Sequence, residues 1–225
     1  TAPGVHWSWS GLGIQSTLIN IETGEGGRRE FERILGAEFQ GEEAIFAVQN
    51  AWITEADDQA KVMENLTFTA YALSENRRII DVSVLIRNVS DYRLFLQSAL
   101  PGAGLTLTLD PDRADWAFSS SSGWVQPDTQ PYMSPWTVAT YRDDRRSTRS
   151  GIAILQDSRN PGYSSPTWLI ENGPRITAGA GRDLKLELKP AGFLEFRYRI
   201  ILFRAAGGGP DLTAEYSKFM GLVQD

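Results

Sequence analysis

Residues 79–87 read Ile-Ile-Asp-Val-Ser-Val-Leu-Ile-Arg, and the spacing within this stretch indicates the class of secondary structure. The apolar residues at 80, 82, 84 and 86 alternate with Asp81, Ser83 and Arg87. This is the period of a β-strand with one core face and one wetter face. The same period recurs at 66–72, 105–109, 184–188 and 194–202, and further strands are predicted at 14–21, 44–53, 92–98, 135–142, 150–156 and 167–171.

Short turns between these runs predict how the strands pair. Ser74-Glu75-Asn76 separates two of the strongest runs, and a connection this short favours antiparallel pairing, since parallel strands need long crossovers. One helix is predicted at about 211–223, where Leu212, Tyr216, Phe219, Met220 and Val223 fall on one apolar stripe. We therefore expect a single all-β domain over 1–225, an antiparallel β-sandwich with one C-terminal helix.

Composition excludes several classes of function. The 225 residues include no Cys and one His, so a disulfide scaffold, a Cys nucleophile, a Cys-ligated metal and a multi-histidine metal site are excluded. We predict no metal and no cofactor. The net charge of −6 argues against nucleic-acid binding, and no apolar run approaches the roughly 18 residues of a membrane span.

A few residues could carry chemistry. His6 is the only imidazole and hence the one candidate histidine base. Asp157, Arg159 and Asn160 form a polar cluster after the strand predicted at 150–156. The chain also has seven Trp, and indole rings in clefts are suited to stacking on the apolar faces of sugars.

Several short motifs, in this order, resemble a known family. They are Ala47–Ile53 with Trp52 near its end, Glu64–Phe68, Arg78–Asp81, Gly151–Leu155 followed by Asp157 and Asn160-Pro161, Pro166-Thr167-Trp168, and Phe196–Arg199 with the helix after it. Over about residues 40–222 this order resembles the bacterial PmoA-like family, a domain of unknown function commonly labelled methane oxygenase PmoA.

The label implies methane oxidation, but that monooxygenase is an integral membrane complex, and this chain has no apolar run long enough to span a bilayer. The resemblance instead implies a β-sandwich similar to galactose-mutarotase-like folds. It also implies a role in bacterial carbohydrate breakdown, with the periplasm and the cytoplasm both left open.

The resemblance carries expectations for the first residues. The family's early His-His-Arg-Gly-type motif corresponds to Val5-His6-Trp7-Ser8, with one His kept, and the family's His after Asp157 is Ser158 here. Family members have strands before this motif, whereas in this chain only five residues precede His6. We therefore expect residues 1–13 to lie against the sheet with Trp7 and Trp9 buried. We also expect a homo-oligomer or a partner chain to supply the missing edge strands.

The leading hypothesis is a protein that binds or processes a carbohydrate ligand. In an enzyme, His6 would be the acid or base, partnered by Asp81 or Asp157. Asp81 is expected on the polar face of its strand, opposite Val82 and Val84. Substrate contacts are predicted at Trp7, Trp9, Trp52, Arg159, Asn160 and Trp168. The alternatives are a non-catalytic sugar-binding module and a structural subunit completed by a partner chain.

Overall fold

The computed structural model describes residues 3–9, 11–15, 17–21, 23–74, 76–97, 104–113, 115–128, 130–143, 148–172, 174–179, 184–205 and 209–222. Within these ranges the chain forms seventeen strands and one helix. In chain order they are β1 (Gly4–Ser8), β2 (Gly11–Ile14), β3 (Thr17–Ile19), β4 (Gly27–Gln40), β5 (Glu43–Thr54), β6 (Gln59–Tyr71), β7 (Arg77–Asn88), β8 (Leu94–Gln97), β9 (Gly104–Thr108), β10 (Ala117–Ser120), β11 (Gly123–Trp124), β12 (Trp136–Asp143), β13 (Thr148–Gln156), β14 (Leu169–Glu171), β15 (Arg175–Ala178), β16 (Lys185–Leu188), β17 (Phe193–Ala205) and α1 (Leu212–Phe219).

The described strands make three antiparallel sheets in two layers. The large sheet has nine strands in the order β11-β10-β12-β13-β17-β7-β6-β5-β4. Two four-stranded sheets, β1-β9-β15-β14 and β16-β8-β2-β3, pack against its inner face. One core joins all three, because Trp7 of β1, Leu96 of β8 and Val84 of β7 belong to the same buried cluster. The predicted antiparallel β-sandwich is therefore confirmed.

Strand β7 shows why the large sheet has two different faces. Val82, Val84 and Ile86 point inward and are almost completely buried, whereas Asp81 and Ser83 lie on the outer face. The expected position of Asp81 on a polar face is confirmed. Full burial of these three aliphatic side chains supplies a few kcal/mol of hydrophobic stabilisation. A shift of the strand by one residue would expose them, so their burial fixes the register.

The C-terminal helix covers part of the outer face. Asp211 is its N-cap, since its side chain accepts from the backbone N–H groups of Thr213 and Ala214. Leu212 is buried against Ile201 and Phe203 of β17, so the helix covers an apolar region of the sheet. The helix ends at Phe219 and is shorter than the predicted 211–223; residue 223 lies outside the described residues.

Strand β4 is an element that the sequence pattern does not predict. It pairs with β5 from Gly27 to Gln40, with register shifts between Phe31 and Arg33 and between Ile34 and Gly36. Each shift reverses the inward–outward alternation, so the strand has no continuous two-residue period to recognise. The run predicted as one strand at 14–21 is also divided, between β2 and β3.

Residues 3–9 lie within the sandwich, as expected. Strand β1 pairs with β9, and Trp7 and Trp9 pack their rings against Phe196 at centroid distances of 5.1 and 5.6 Å. The predicted burial of both indoles is confirmed. In the described part of the chain, no helix has both the length and the apolar character needed to cross a membrane.

Candidate functional site

Two predicted carboxylates, Asp81 and Asp157, lie in the same groove on the outer face of the large sheet. Asp81 on β7 faces Arg199 on β17, and the guanidinium donates to both carboxylate oxygens at 2.7 and 2.8 Å. The hydroxyl of Tyr71 donates to the same carboxylate at 2.8 Å. Asp81 is thus held in a fixed orientation by a bidentate pair and a third donor.

Asp157 lies directly after β13 and is held in a similar way. The Arg159 guanidinium donates to both carboxylate oxygens, with Nε at 2.9 Å from Oδ1, and the backbone N–H of Arg159 donates to Oδ1 at 2.8 Å. The Asp157 carboxylate is buried, while the Arg159 side chain is 68% exposed. Arg159 therefore exposes its charge to the groove, while Asp157 holds its guanidinium in place.

The charges of these groups at neutral pH follow from their partners. Burial alone would raise the pKa of Asp157, but the hydrogen bonds from the Arg159 side chain and backbone outweigh it and hold that pKa below its usual value. Burial, and then the hydrogen bond to Asp81, raises the pKa of Tyr71 to about 12. At neutral pH Asp157 is thus a carboxylate, and Tyr71 beside Asp81 is a neutral phenol.

The groove consists of two adjoining hollows of about 270 and 280 Å³ that share Asp157, Arg159 and Arg197. Phe219 of the C-terminal helix lines one hollow, and the exposed Phe193 of β17 lines the other. We call this surface the outer groove and define it by Asp81, Asp157, Arg159, Phe193, Arg197, Arg199 and Phe219. It combines ion-paired polar groups with aromatic rings.

Asn160 lines one hollow of the outer groove and also supports its wall. Its side-chain amide donates to the backbone carbonyl of Arg197 at 2.9 Å and accepts from the backbone N–H of Arg197 at 2.7 Å. Both hydrogen bonds fasten the loop after β13 to β17. The side-chain amide of this buried residue is therefore engaged with the backbone, and the substrate contact at Asn160 stays a prediction.

His6 does not meet either carboxylate. Trp7 of β1 and Val82 of β7 both point into the core between the layers. Alternation then directs His6 and Asp81 away from this core, on opposite sides of it. His6 pairs in register with Thr106 of β9, in a different sheet from Asp81. The expected pairing of His6 with Asp81 or Asp157 is therefore not formed.

The four tryptophans expected to contact a substrate are packed in the core. Trp7, Trp9, Trp52 and Trp168 are at most 5% exposed. The indole N–H of Trp168 donates to the carbonyl of Ser134 at 2.6 Å. A ring packed on both sides cannot stack on a sugar, so stacking is excluded at these four positions, and contact with a ligand is limited to the edge of an indole.

Two of these indoles surround a buried carboxylate that the sequence analysis did not single out. Glu64 of β6 is fully buried, and its Oε2 accepts from the indole N–H groups of Trp7 at 3.1 Å and Trp52 at 3.2 Å. Its Oε1 accepts from the amide of Asn50 at 2.8 Å and from the Arg29 guanidinium. The available signal was Glu64 at an inward position between Val62 and Leu66, where the period requires an apolar residue.

Arg197 and Arg199 are the outer-groove residues that sequence reasoning missed. Their signal was the alternation along β17, which places Glu195, Arg197 and Arg199 on the face opposite to Phe196 and Tyr198. Among the described residues no group of three or more His, Cys, Asp or Glu side chains could hold a metal ion.

Solved structures with a related chain path include carbohydrate-active enzymes. An α-galactosidase from Lactobacillus brevis matches with a TM-score of 0.50 and 11% identity, over 88% of this chain and 29% of that chain. A GH36 α-galactosidase from Geobacillus stearothermophilus matches with a TM-score of 0.49 and 11% identity, over 88% of this chain and 30% of that chain. A putative aldose 1-epimerase from Klebsiella pneumoniae matches with a TM-score of 0.42 and 9% identity, over 84% and 57%.

The likeness to the Lactobacillus brevis enzyme shows a shared fold and nothing of the reaction, since the identity is low. The chain spans about 30% of the length of the galactosidases it matches. No curated protein sequence matches it. A family profile, by contrast, matches residues 4–214, which include β1, every outer-groove residue except Phe219 and the first three residues of the C-terminal helix. The chain therefore belongs to DUF6807, a family of unknown function.

Proposed function

We propose that this protein is a bacterial carbohydrate-binding β-sandwich of the PmoA-like type, and that a neutral saccharide binds in the outer groove without being chemically changed. One observation carries the proposal: the ion pairs Asp81–Arg199 and Asp157–Arg159 line the same groove. A guanidinium can donate to one sugar hydroxyl while its paired carboxylate accepts from the next. Two such pairs side by side suit a chain of hydroxyl groups.

The aromatic residues at the groove support the same proposal. Phe193 is largely exposed, and Phe219 lies 5.1 Å from the Arg199 guanidinium, measured to the ring centroid. An exposed ring beside polar groups can cover the apolar C–H face of a sugar ring. The Arg159 side chain is held by Asp157 and is mostly exposed, so its remaining N–H groups can donate to a ligand.

Binding without catalysis is supported by the protonation states in the groove. A general acid for sugar chemistry needs a carboxyl group whose pKa is raised toward neutrality. The pKa of Asp157 is instead lowered by Arg159. The single histidine lies on β1, in a different sheet from Asp81, and the core separates it from the groove, so it cannot supply the acid there.

The test is a titration of neutral mono- and oligosaccharides against the wild type, Arg159→Ala and Arg93→Ala by calorimetry. Arg93 is a matched control, because it is an exposed arginine paired with Glu187 at 3.0 Å and lies outside the groove. We expect binding to weaken at least about tenfold in Arg159→Ala, which corresponds to about 1.4 kcal/mol, and to be unchanged in Arg93→Ala. Saccharide binding unaffected by Arg159→Ala would refute the site.

Catalysis is tested separately with a saccharide that binds. Anomer interconversion and glycosidic cleavage are followed by NMR in the presence of stoichiometric protein. We expect no change in the saccharide beyond the uncatalysed rate. Turnover that is lost in Asp157→Asn would show that the groove is an active site and would overturn the non-catalytic part of the proposal.

Assembly is a second candidate function, supported by the edge strand β4. Among the described strands β4 pairs only with β5, and its apolar residues Phe31, Ile34 and Phe39 are exposed, Phe39 to 89%. Antiparallel pairing of β4 with β4 of a second copy can set Glu32 opposite Arg33 and Phe31 opposite Ile34. Such self-pairing would supply the missing edge strand from a homo-oligomer.

The assembly candidate is tested by the mass in solution. We expect a dimer in the wild type and a monomer in Ile34→Lys, because Ile34 lies opposite Phe31 in this pairing and a charge there blocks strand addition. Leu73→Lys, at an exposed leucine outside β4, should leave the dimer intact. A monomeric wild type across the micromolar range would refute assembly and leave the saccharide proposal untouched.

A further inference from the structure

A second cleft lies on the other side of the large sheet, at one end of the core. It has a volume of about 450 Å³, and small-molecule sites typically occupy roughly 300–1,000 Å³. Its walls include Trp9, Trp52, Thr23, Arg28 and Arg29. We call it the inner cleft. It shares no described lining residue with the outer groove.

The inner cleft contains a donor that lacks an acceptor. Trp9 lines the cleft and is 2% exposed, and its indole Nε1 has no hydrogen-bond partner among the described residues. The neighbouring indoles of Trp7 and Trp52 both donate to Glu64. A buried N–H without an acceptor is destabilising, and such groups are rare in folded proteins. An acceptor atom from a bound molecule would satisfy it.

The side chains of the cleft wall indicate the chemistry of that molecule. Arg28 and Arg29 line the cleft, and none of the described lining residues is acidic. The partners of Arg28 are Glu30 and Asp58, and the partner of Arg29 is the fully buried Glu64; these carboxylates are not part of the lining. The three carboxylates balance the charge of the two arginines from outside the cleft, while the lining itself presents guanidinium N–H donors, which suit the oxygens of a carboxylate.

The loop that closes the cleft is held in place. The backbone N–H of Thr23 donates to the side chain of Asn20 at 3.1 Å, and the backbone N–H of Asn20 donates to the carbonyl of Glu25 at 2.9 Å. The backbone N–H of Glu55 also donates to the carbonyl of Gly26 at 3.0 Å. These bonds keep Thr23 and the two arginines in a constant relation, so the site is organised before a ligand enters.

We propose that the inner cleft binds a small hydroxylated carboxylate, a sugar acid of about the size of a hexuronate. Its carboxylate lies between the guanidinium groups of Arg28 and Arg29. A hydroxyl or ring oxygen accepts from Trp9 Nε1, and Thr23 offers a hydroxyl at the rim. Two arginines suit the planar carboxylate, and the indole donor and apolar wall suit the remainder of a sugar.

The test compares galacturonate, galactose and inorganic phosphate by calorimetry with the wild type, Trp9→Phe and Arg28→Gln. Trp9→Phe removes the indole N–H and keeps an aromatic ring in the core. We expect galacturonate to bind the wild type and to bind at least tenfold more weakly to both variants. The melting temperature should not fall in Arg28→Gln. Arg33→Gln, at an exposed arginine further along β4 that donates to Gln49, should bind galacturonate as the wild type does.

Three outcomes would overturn the proposal. Galacturonate that binds Arg28→Gln as tightly as the wild type would show that the cleft is not its site. Galactose binding that is lost in Arg28→Gln would show that the cleft does not select for charge. Phosphate binding equal to that of galacturonate would show a general anion site. None of these results depends on Arg159, so the failure of the outer groove and that of the inner cleft are distinguishable.

Discussion

Asp81 and Arg199 stand directly opposite each other on β7 and β17, and both carboxylate oxygens accept from the one guanidinium. The Arg199 guanidinium also lies over the ring of Phe219, so the same side chain connects the sheet to the C-terminal helix. Arg199 is mostly buried, whereas most surface arginines of this chain are exposed. The pair is therefore placed to stabilise the fold as well as the outer groove.

Arg199→Met should destabilise the protein by about 1–2 kcal/mol, because it leaves the partly buried Asp81 with the Tyr71 hydroxyl as its remaining hydrogen-bond partner among the described residues. Arg93→Met removes an exposed pair with Glu187 and should cost less than about 0.5 kcal/mol. Urea denaturation of both variants measures the difference. Equal losses would show that the Asp81 pair behaves as an ordinary surface ion pair.

Glu64→Gln should lower the free energy of unfolding more than Arg199→Met does. The carboxylate of Glu64 accepts from four side chains, and an amide nitrogen in place of one oxygen would face a donor. The loss of charge also leaves Arg29 without its buried partner, so we expect a loss of about 3 kcal/mol in the free energy of unfolding. Glu32→Gln on the exposed part of β4 is the control, with an expected change below about 0.5 kcal/mol.

The central strands were predictable because each has one buried face. Alternation at Val82, Val84 and Ile86 predicts β7, and similar patterns predict β6, β9 and β17. The bulged strand β4 was not predictable, since two register shifts erase its period and nearly all of it is exposed. Burial drives the alternation, so an exposed edge strand carries a weak signal.

The candidate site was predictable only in part. Asp157 and Arg159 form a local pair two residues apart, and the sequence shows both at the end of a strand. Arg199 lies 118 residues from Asp81, and only the pairing of β7 with β17 joins them. The indoles gave a misleading signal, since Trp7 and Trp52 are next to turns or strand ends but point into the core toward Glu64.

Asp157→Asn should show a stability loss that depends on pH. The pKa of Asp157 is lowered in the folded protein from an unfolded value near 3.8, so its contribution is complete above that value. The contribution is lost as pH falls through the lower folded pKa. We expect the variant to be about 1–2 kcal/mol less stable at pH 7.

The difference from the wild type should shrink when the pH falls below about 4. Denaturation at pH 7, 5 and 3 measures it, and Asp91→Asn, in an exposed turn, serves as the control. A difference that stays constant down to pH 3 would mean that the charge of Asp157 does not stabilise the fold.

The last prediction concerns Gly179 and Tyr198, which lie next to each other inside the core. Gly179 has a φ of +101°, and a Cβ built there would overlap the phenol oxygen of Tyr198. That oxygen is buried and has no hydrogen-bond partner among the described residues. Gly179→Ala should therefore cost about 3 kcal/mol, from backbone strain at positive φ together with overpacking.

Tyr198→Phe removes the unpartnered hydroxyl and should leave stability unchanged or slightly higher, by up to about 1 kcal/mol. In the double variant the nearest ring carbon lies 3.1 Å from the new Cβ, a contact that a small shift relieves. In the double variant, the part of the loss in unfolding free energy that comes from overpacking should be recovered, whereas the part that comes from backbone strain should remain. The effects of the two changes are therefore not additive. Additive losses in the free energy of unfolding would show that the hydroxyl and the methyl group do not compete for one space.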